Sequence, residues 1–144
     1  MIGILIVTHG RLGQELLTNA ETIVGHQEAV RVLGLDASEG PDAFEKKVQV
    51  ALQELYNPDG VLILVDMFGG TPCNVALRQC RGGRWNFELV TGVNMPILLA
   101  AVSARDKLAL TDLAKKVTED GPRTILRPLE RLKNACGAKP SPAA

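Results

Sequence analysis

The sequence predicts an α/β fold, a three-layer sandwich with a mostly parallel, flavodoxin-like sheet of order 2-1-3-4. Three observations carry that expectation. Short apolar runs at residues 1–7, 29–35 and 61–65 have the continuous hydrophobicity of strands buried on both faces. Between them lie segments whose apolar residues recur at helical spacing. The two kinds of segment alternate, as parallel strands joined by crossover helices require.

The first run is interrupted only by Gly3 and ends in Thr8-His9-Gly10. Leu12, Leu16, Leu17, Ala20, Ile23 and Val24 then mark a helix that Gly25 can stop. After the second strand, Gly40-Pro41 opens a helix with Phe44, Val48, Ala51, Leu52 and Leu55 on one face. Asn57-Pro58-Asp59-Gly60 is a strong turn, and the third strand that follows stops at Asp66. In Met67-Phe68-Gly69-Gly70-Thr71-Pro72, Thr71 suits an N-cap and Pro72 the first helical position. That helix should reach about Cys80, with Gly82-Gly83 and a fourth strand over 85–91 beyond it. Asn94 can cap the next helix, with Pro96 in its first turn, and Thr111 suits the start of a helix over 112–119 ending near Gly121-Pro122. Residues 123–126 read as a short extra strand, expected to pair antiparallel on its own sheet or on a partner's. The single domain is assigned to 1–132, and 133–144, rich in Ala, Pro, Lys and Gly, to an unstructured tail.

Bulk properties narrow the function classes. A chain of 144 residues can bury a core without disulfides or metal. Lys plus Arg and Asp plus Glu each number 16, so there is no basic excess for nucleic acid or anionic lipid. The apolar runs are too short to span a bilayer, and no basic segment precedes the first one as in a signal peptide. Cys73, Cys80 and Cys136 lack metal-ligand spacing and read as reduced thiols, so the cytoplasm is the expected location. No phosphate-binding G-x-x-x-x-G-K-[ST] loop or dinucleotide fingerprint is present. No nucleotide, metal or other cofactor is expected.

Open α/β sheets bind ligands beyond the carboxyl ends of their strands, where strand order reverses. His9 and Asp66 fall on that rim after strands one and three. If those strands are neighbours, about 4.8 Å apart, the side chains can meet. A carboxylate on one ring nitrogen fixes the tautomer and leaves the other nitrogen as a nucleophile. Gly69 and Gly70 let the backbone approach a ligand closely, and the helix beginning beside Thr71 points free N–H groups at the same rim. Together these suggest phosphate chemistry. Taken singly, each has a plainer reading: His9 as polar rim, Asp66 as a turn residue, Gly-Gly-Thr-Pro as an ordinary strand-to-helix connection. His26 is expected to be solvated, Trp85 and Phe87 to pack in the core, and Arg78, Arg81 and Arg84 to lie on a solvated face.

The chain resembles the enzyme IIA component of the mannose-type branch of the bacterial phosphoenolpyruvate-dependent sugar phosphotransferase system. The resemblance rests on residues 4–10, on Val65-Asp66-Met67-Phe68-Gly69-Gly70-Thr71-Pro72 with Asn74, and on Gly92-Val93-Asn94-Met95-Pro96. It implies that His9 accepts phosphate from the phosphocarrier protein HPr and passes it to an enzyme IIB partner, with Asp66 beside the ring. Phe68, Gly69, Gly70 and Thr71 would form the phosphate loop. It further implies a homodimer with the C-terminal strand exchanged, and contact with the membrane only through transporter subunits. Met67 and Phe68 depart from the hydroxyl residue and tryptophan often found in relatives. Three alternatives share parts of this pattern: a regulatory phosphohistidine module without sugar transport, a histidine phosphatase, and the phosphotransfer subunit of the dihydroxyacetone kinase system.

Overall fold

The computed structural model describes residues 1–83 and 85–137. Strands and helices alternate as β1 (Gly3–His9), α1 (Leu12–Val24), β2 (Val30–Leu35), α2 (Pro41–Leu55), β3 (Val61–Val65), α3 (Thr71–Cys80), β4 (Phe87–Thr91) and α4 (Met95–Ala104). Two further helices, α5 (Leu110–Arg123) and α6 (Pro128–Ala135), complete the described chain. The four strands form one parallel sheet of order β2-β1-β3-β4.

Alternation along the strands divides the core in two. Ile4 and Ile6 of β1 and Leu62 and Leu64 of β3 face the layer made by α1, α4 and α5, where Ala20, Leu98, Ala101, Leu113 and Val117 are buried. Leu5, Val7, Val61, Ile63 and Val65 face α2 and α3, against Phe44, Val48, Leu52, Cys73 and Val75. All five residues of β3 are buried, which explains its unbroken apolar run. Burying each such side chain contributes about 1.5–3 kcal/mol before chain entropy is counted.

Local signals behave largely as expected. Gly25 terminates α1, donating its N–H to the Glu21 carbonyl. Gly40 caps α2 with Pro41 at the first position. Asn94 caps α4 through its side-chain oxygen, which accepts the Ile97 N–H at 2.9 Å. Other boundaries differ. Gly70, not Thr71, is the N-cap of α3, which leaves Thr71 inside the first turn. Helix α5 starts after Ala109 rather than at Thr111, whose hydroxyl instead donates to Glu88 at 3.2 Å. β4 begins at Phe87, two residues later than expected.

The C-terminal strand expected at 123–126 is not a strand in this chain. Helix α5 runs through Gly121 and Pro122 to Arg123, and Thr124 closes it with its N–H and hydroxyl on the Gly121 carbonyl. Proline removes a donor only near the helix end, where little is lost, and Gly121 packs closely on Ile97. Residues 133–135, expected in the tail, belong to α6; 138–144 lie outside the described residues.

One packing detail sets the position of the sheet's upper rim. The N–H of Gly10 bonds the Leu35 carbonyl at 2.9 Å, and a Cβ on Gly34 would collide with the Gly10 carbonyl oxygen. Gly34 therefore lets the end of β1 lie flush against β2. Gly34→Ala should destabilise the fold by about 1–3 kcal/mol through overpacking. The expected readout is a lower urea midpoint at unchanged m-value.

Candidate functional site

β1 and β3 are central neighbours, with Val7 opposite Val65 in the parallel register. β1 connects outward to β2 on one side, and β3 leads to β4 on the other, so the gap between their carboxyl ends is where strand order reverses. His9 is the last residue of β1, and Asp66 directly follows β3.

The two side chains meet there. Asp66 Oδ2 accepts the main-chain N–H of His9 at 2.9 Å and faces His9 Nδ1 at 2.8 Å. Its other oxygen, Oδ1, accepts the Met67 N–H at 3.0 Å. Asp66 is thus both a turn residue and the partner of the imidazole. With the carboxylate as acceptor, Nδ1 carries the proton and Nε2 keeps its lone pair. The Asp66 side chain is 11% exposed and the His9 ring 47%, so the carboxylate is sheltered while the ring reaches solvent. Burial pushes the Asp66 carboxyl up, but the hydrogen bonds from the His9 main chain and ring, the imidazole's charge and the Met67 N–H outweigh it. The net effect is a pKa below the ordinary 3.8.

The start of α3 completes the rim. A Cβ on Gly70 would lie 2.8 Å from His9 Cε1 and 3.3 Å from Nε2, so only glycine gives the ring this seat at the helix N-terminus. Gly69 has φ +84°, a left-handed conformation suited to glycine. The loop is braced by Asn74, whose Nδ2 donates to the Gly69 carbonyl at 3.2 Å. The Thr71 hydroxyl is not used in capping. Phe68 projects into solvent, 78% exposed, with Met67 also exposed beside it. The helix dipole and first-turn N–H groups of α3 make this end favourable for an anion.

Other candidates stand apart. His26 lies beyond the far end of α1, exposed and facing Glu21 at 2.9 Å. Arg78 is paired with Glu45 at 3.2 Å, and Arg81 is exposed; Arg84 lies outside the described residues. Phe87 packs partly against the core, whereas Trp85 sits in an exposed edge-on cluster with Tyr56, their ring centroids 4.4 Å apart.

Thr8 and Val93, read from the sequence only as members of longer motifs, make supporting contacts. The buried Thr8 hydroxyl accepts the Gly13 N–H at 2.9 Å, locking the start of α1 to the strand that ends in His9. The Val93 N–H bonds the Val65 carbonyl at 2.9 Å, fixing the residue before Asp66. Both act through main-chain partners, and a main-chain partner leaves no residue-type signature.

The lowered Asp66 pKa has a thermodynamic consequence. A carboxyl depressed in the folded state adds stability above its unfolded pKa and loses it as pH falls through the folded value. The stability advantage of the native protein over Asp66→Asn should therefore be complete near about pH 6 and shrink below 3.8. Urea midpoints across that range measure it.

Comparisons with known proteins bear on this geometry. The family model described as "PTS system fructose IIA component" matches residues 3–118. The chain is 34% identical over 148 residues to the "PTS system mannose-specific EIIAB component" of Escherichia coli (strain K12), covering 99% of this chain and 44% of that protein. It therefore spans less than half the length of that relative. It is 32% identical to the "PTS system fructose-specific EIIA component" of Bacillus subtilis (strain 168), with 94% of each covered. Among solved structures, the phosphotransferase system component EIIA from Streptococcus agalactiae superposes with a TM-score of 0.81 at 29% identity, covering 88% of this chain and 97% of that one. The mannose/sorbose-specific IIA subunit from Enterococcus faecalis gives 0.79 at 26% identity, covering 88% and 93%. With the matched model extending over most of the residues that build the sheet and its rim, the chain belongs to the mannose-type enzyme IIA family of the sugar phosphotransferase system.

Proposed function

We propose that this chain is a phosphoryl carrier in which His9 Nε2 takes a phosphoryl group from an HPr-type phosphohistidine and hands it to an enzyme IIB histidine for sugar uptake. The observation that carries the reading is the contact between His9 Nδ1 and Asp66 Oδ2, 2.8 Å long. It leaves the exposed ring nitrogen as the nucleophile and gives the other nitrogen a fixed acceptor.

Transfer proceeds in line, through a loose, metaphosphate-like state. The Nε2–P bond forms as the donor's N–P bond breaks, and the donor ring leaves with the electron pair. The His9 ring gains positive charge, which the neighbouring Asp66 carboxylate stabilises, and the Nδ1 proton stays where it is. First-turn N–H groups of α3 and the Thr71 hydroxyl serve the equatorial oxygens, while Gly69 and Gly70 admit the group close to the backbone. Phe68 contributes its main chain to this loop and offers its exposed ring to the partner. No step needs a nucleotide or metal. Onward transfer to a IIB protein distinguishes this carrier from a purely regulatory phosphohistidine module. Release of inorganic phosphate from simple phosphomonoesters would instead mark a phosphatase.

The same reading places the protein in the cytoplasm as a homodimer. Among the described residues no helix is long and apolar enough to cross a membrane. Exposed Ile125, Leu126, Leu129 and Leu132 supply an apolar segment for a second copy.

His9→Ala should abolish labelling from radioactive phosphoenolpyruvate in the presence of enzyme I and HPr; label retained on another residue would refute the assignment. Asp66→Ala should retain the fold by circular dichroism yet slow labelling by about tenfold or more, through loss of the contact that positions the ring. Wild-type rates in that variant would remove Asp66 from the mechanism.

A further inference from the structure

β2 is an edge strand, with β1 as its one neighbour in the sheet. Ile4 donates its N–H to the Ala29 carbonyl, and Gly10 donates to the Leu35 carbonyl. In this parallel register Arg31, Leu33 and Leu35 therefore turn their main-chain groups toward β1. Val32 and Gly34, which lie between them, turn theirs outward. Among the described residues no other element bonds the main-chain N–H or carbonyl of either. Gly34 is exposed and Val32 half-buried, so this stretch of edge is open.

Beside that edge runs a groove of about 370 Å³ between β2 and α2. Arg31 and Leu33 face it from the sheet, on the side that Leu5 and Val7, their partners in β1, also face. Lys46, Lys47, Val50 and Glu54 face it from one stripe of α2. Val50 is 53% exposed, an apolar side chain set among charged ones. A strand added along β2 would carry every second side chain over this groove.

Charge narrows the occupant. Arg31 is paired with Glu54 at 3.5 Å and Lys47 with Glu39. Lys46 has no ion pair among the described residues, so the groove keeps a positive excess. A second copy laid along the same edge would bring its own Arg31 and lysines against these, like against like. The exposed apolar stretch of this chain, Ile125 to Leu132, carries Arg127 and Arg131 against Glu130, which is also the wrong sign. An acidic segment with an apolar residue at its centre meets both the lysine and Val50.

We propose that the open edge of β2 takes up an extended acidic segment of a partner protein as an added strand. Val32 and Gly34 donate their N–H groups to that segment and accept from it at their carbonyls. An apolar side chain of the segment lies on Leu33 and Val50, with a carboxylate against Lys46. The surface is separate from the phosphoryl-transfer site and does not depend on the role assigned to His9.

The test is titration of the full chain with the peptide acetyl-Thr-Glu-Thr-Leu-Thr-Glu-Thr-amide, followed by 1H–15N spectra and amide hydrogen exchange. Two controls replace both glutamates by lysine, or N-methylate the three central residues. The acidic peptide should bind saturably and move the Val32 and Gly34 N–H resonances downfield. At about ten times its Kd it should slow the exchange of both amides about tenfold. The N-methylated peptide should not bind, and the lysine peptide should bind more weakly. Lys46→Glu should weaken the acidic peptide about fivefold and strengthen the lysine one. Val32→Pro, which removes one outward donor where an edge strand tolerates proline, should weaken binding about fivefold. If that variant fails to fold, the N-methylated peptide still reports on the main-chain bonds. No saturable binding, unmoved Val32 and Gly34 amides, or equal binding of the N-methylated peptide would overturn strand addition. Equal or tighter binding of the lysine peptide, or unchanged affinities in Lys46→Glu, would overturn the acidic class. Amides of Val32 and Gly34 that are protected in the free chain and lose protection on dilution would assign the edge to a second copy instead.

Discussion

A single carboxylate oxygen holds the upper rim together. Asp66 Oδ2 takes the main-chain N–H of His9 and also faces the His9 ring, so one atom fixes both where the strand ends and how its last side chain is turned. This double duty is possible only because β1 and β3 are parallel neighbours in a register that sets Val7 beside Val65. A slip by one residue would reverse the facing of every side chain on β1. The alternating burial of Ile4, Leu5, Ile6 and Val7 into opposite core layers resists that slip. The apolar pattern of a strand remote from any chemistry thereby sets the geometry of an imidazole.

Much of this arrangement was legible in the sequence. Continuous apolar runs gave the strands, helical periodicity the layers, and the strand-end positions of His9 and Asp66 their meeting point. What escaped was decided by contacts between segments far apart in the chain. Gly34 looks like a flaw in a strand until the Gly10 carbonyl is found against it. Thr8 reads as one more polar residue at a strand end, yet its hydroxyl holds Gly13 from below. Thr71 has the chemistry of an N-cap, but the extended backbone of Gly70 takes that position. Residues 123–126 form no strand within this chain, where α5 runs on through Gly121 and Pro122 to Arg123 with Gly121 packed on Ile97.

Glycine does two different jobs around the site. At Gly69 the need is conformational, a positive φ that other residues adopt at a cost. At Gly70 the backbone is ordinary, φ −75°, and the need is for space beside the His9 ring. The distinction matters to interpretation. Exchange at the first strains the loop, while exchange at the second displaces the imidazole without disturbing the loop's own dihedral preferences.

The unequal shelter of the paired side chains has a kinetic corollary. His9 has one edge against Asp66 and another against the start of α3, so partners reach it from the side left exposed. In the proposed carrier, the protein that loads the ring and the protein that unloads it must approach from the same exposed side. They cannot occupy it together, which imposes a ping-pong order: the donor must depart before the acceptor arrives, and an excess of either empty partner acts as a competitive brake on the other.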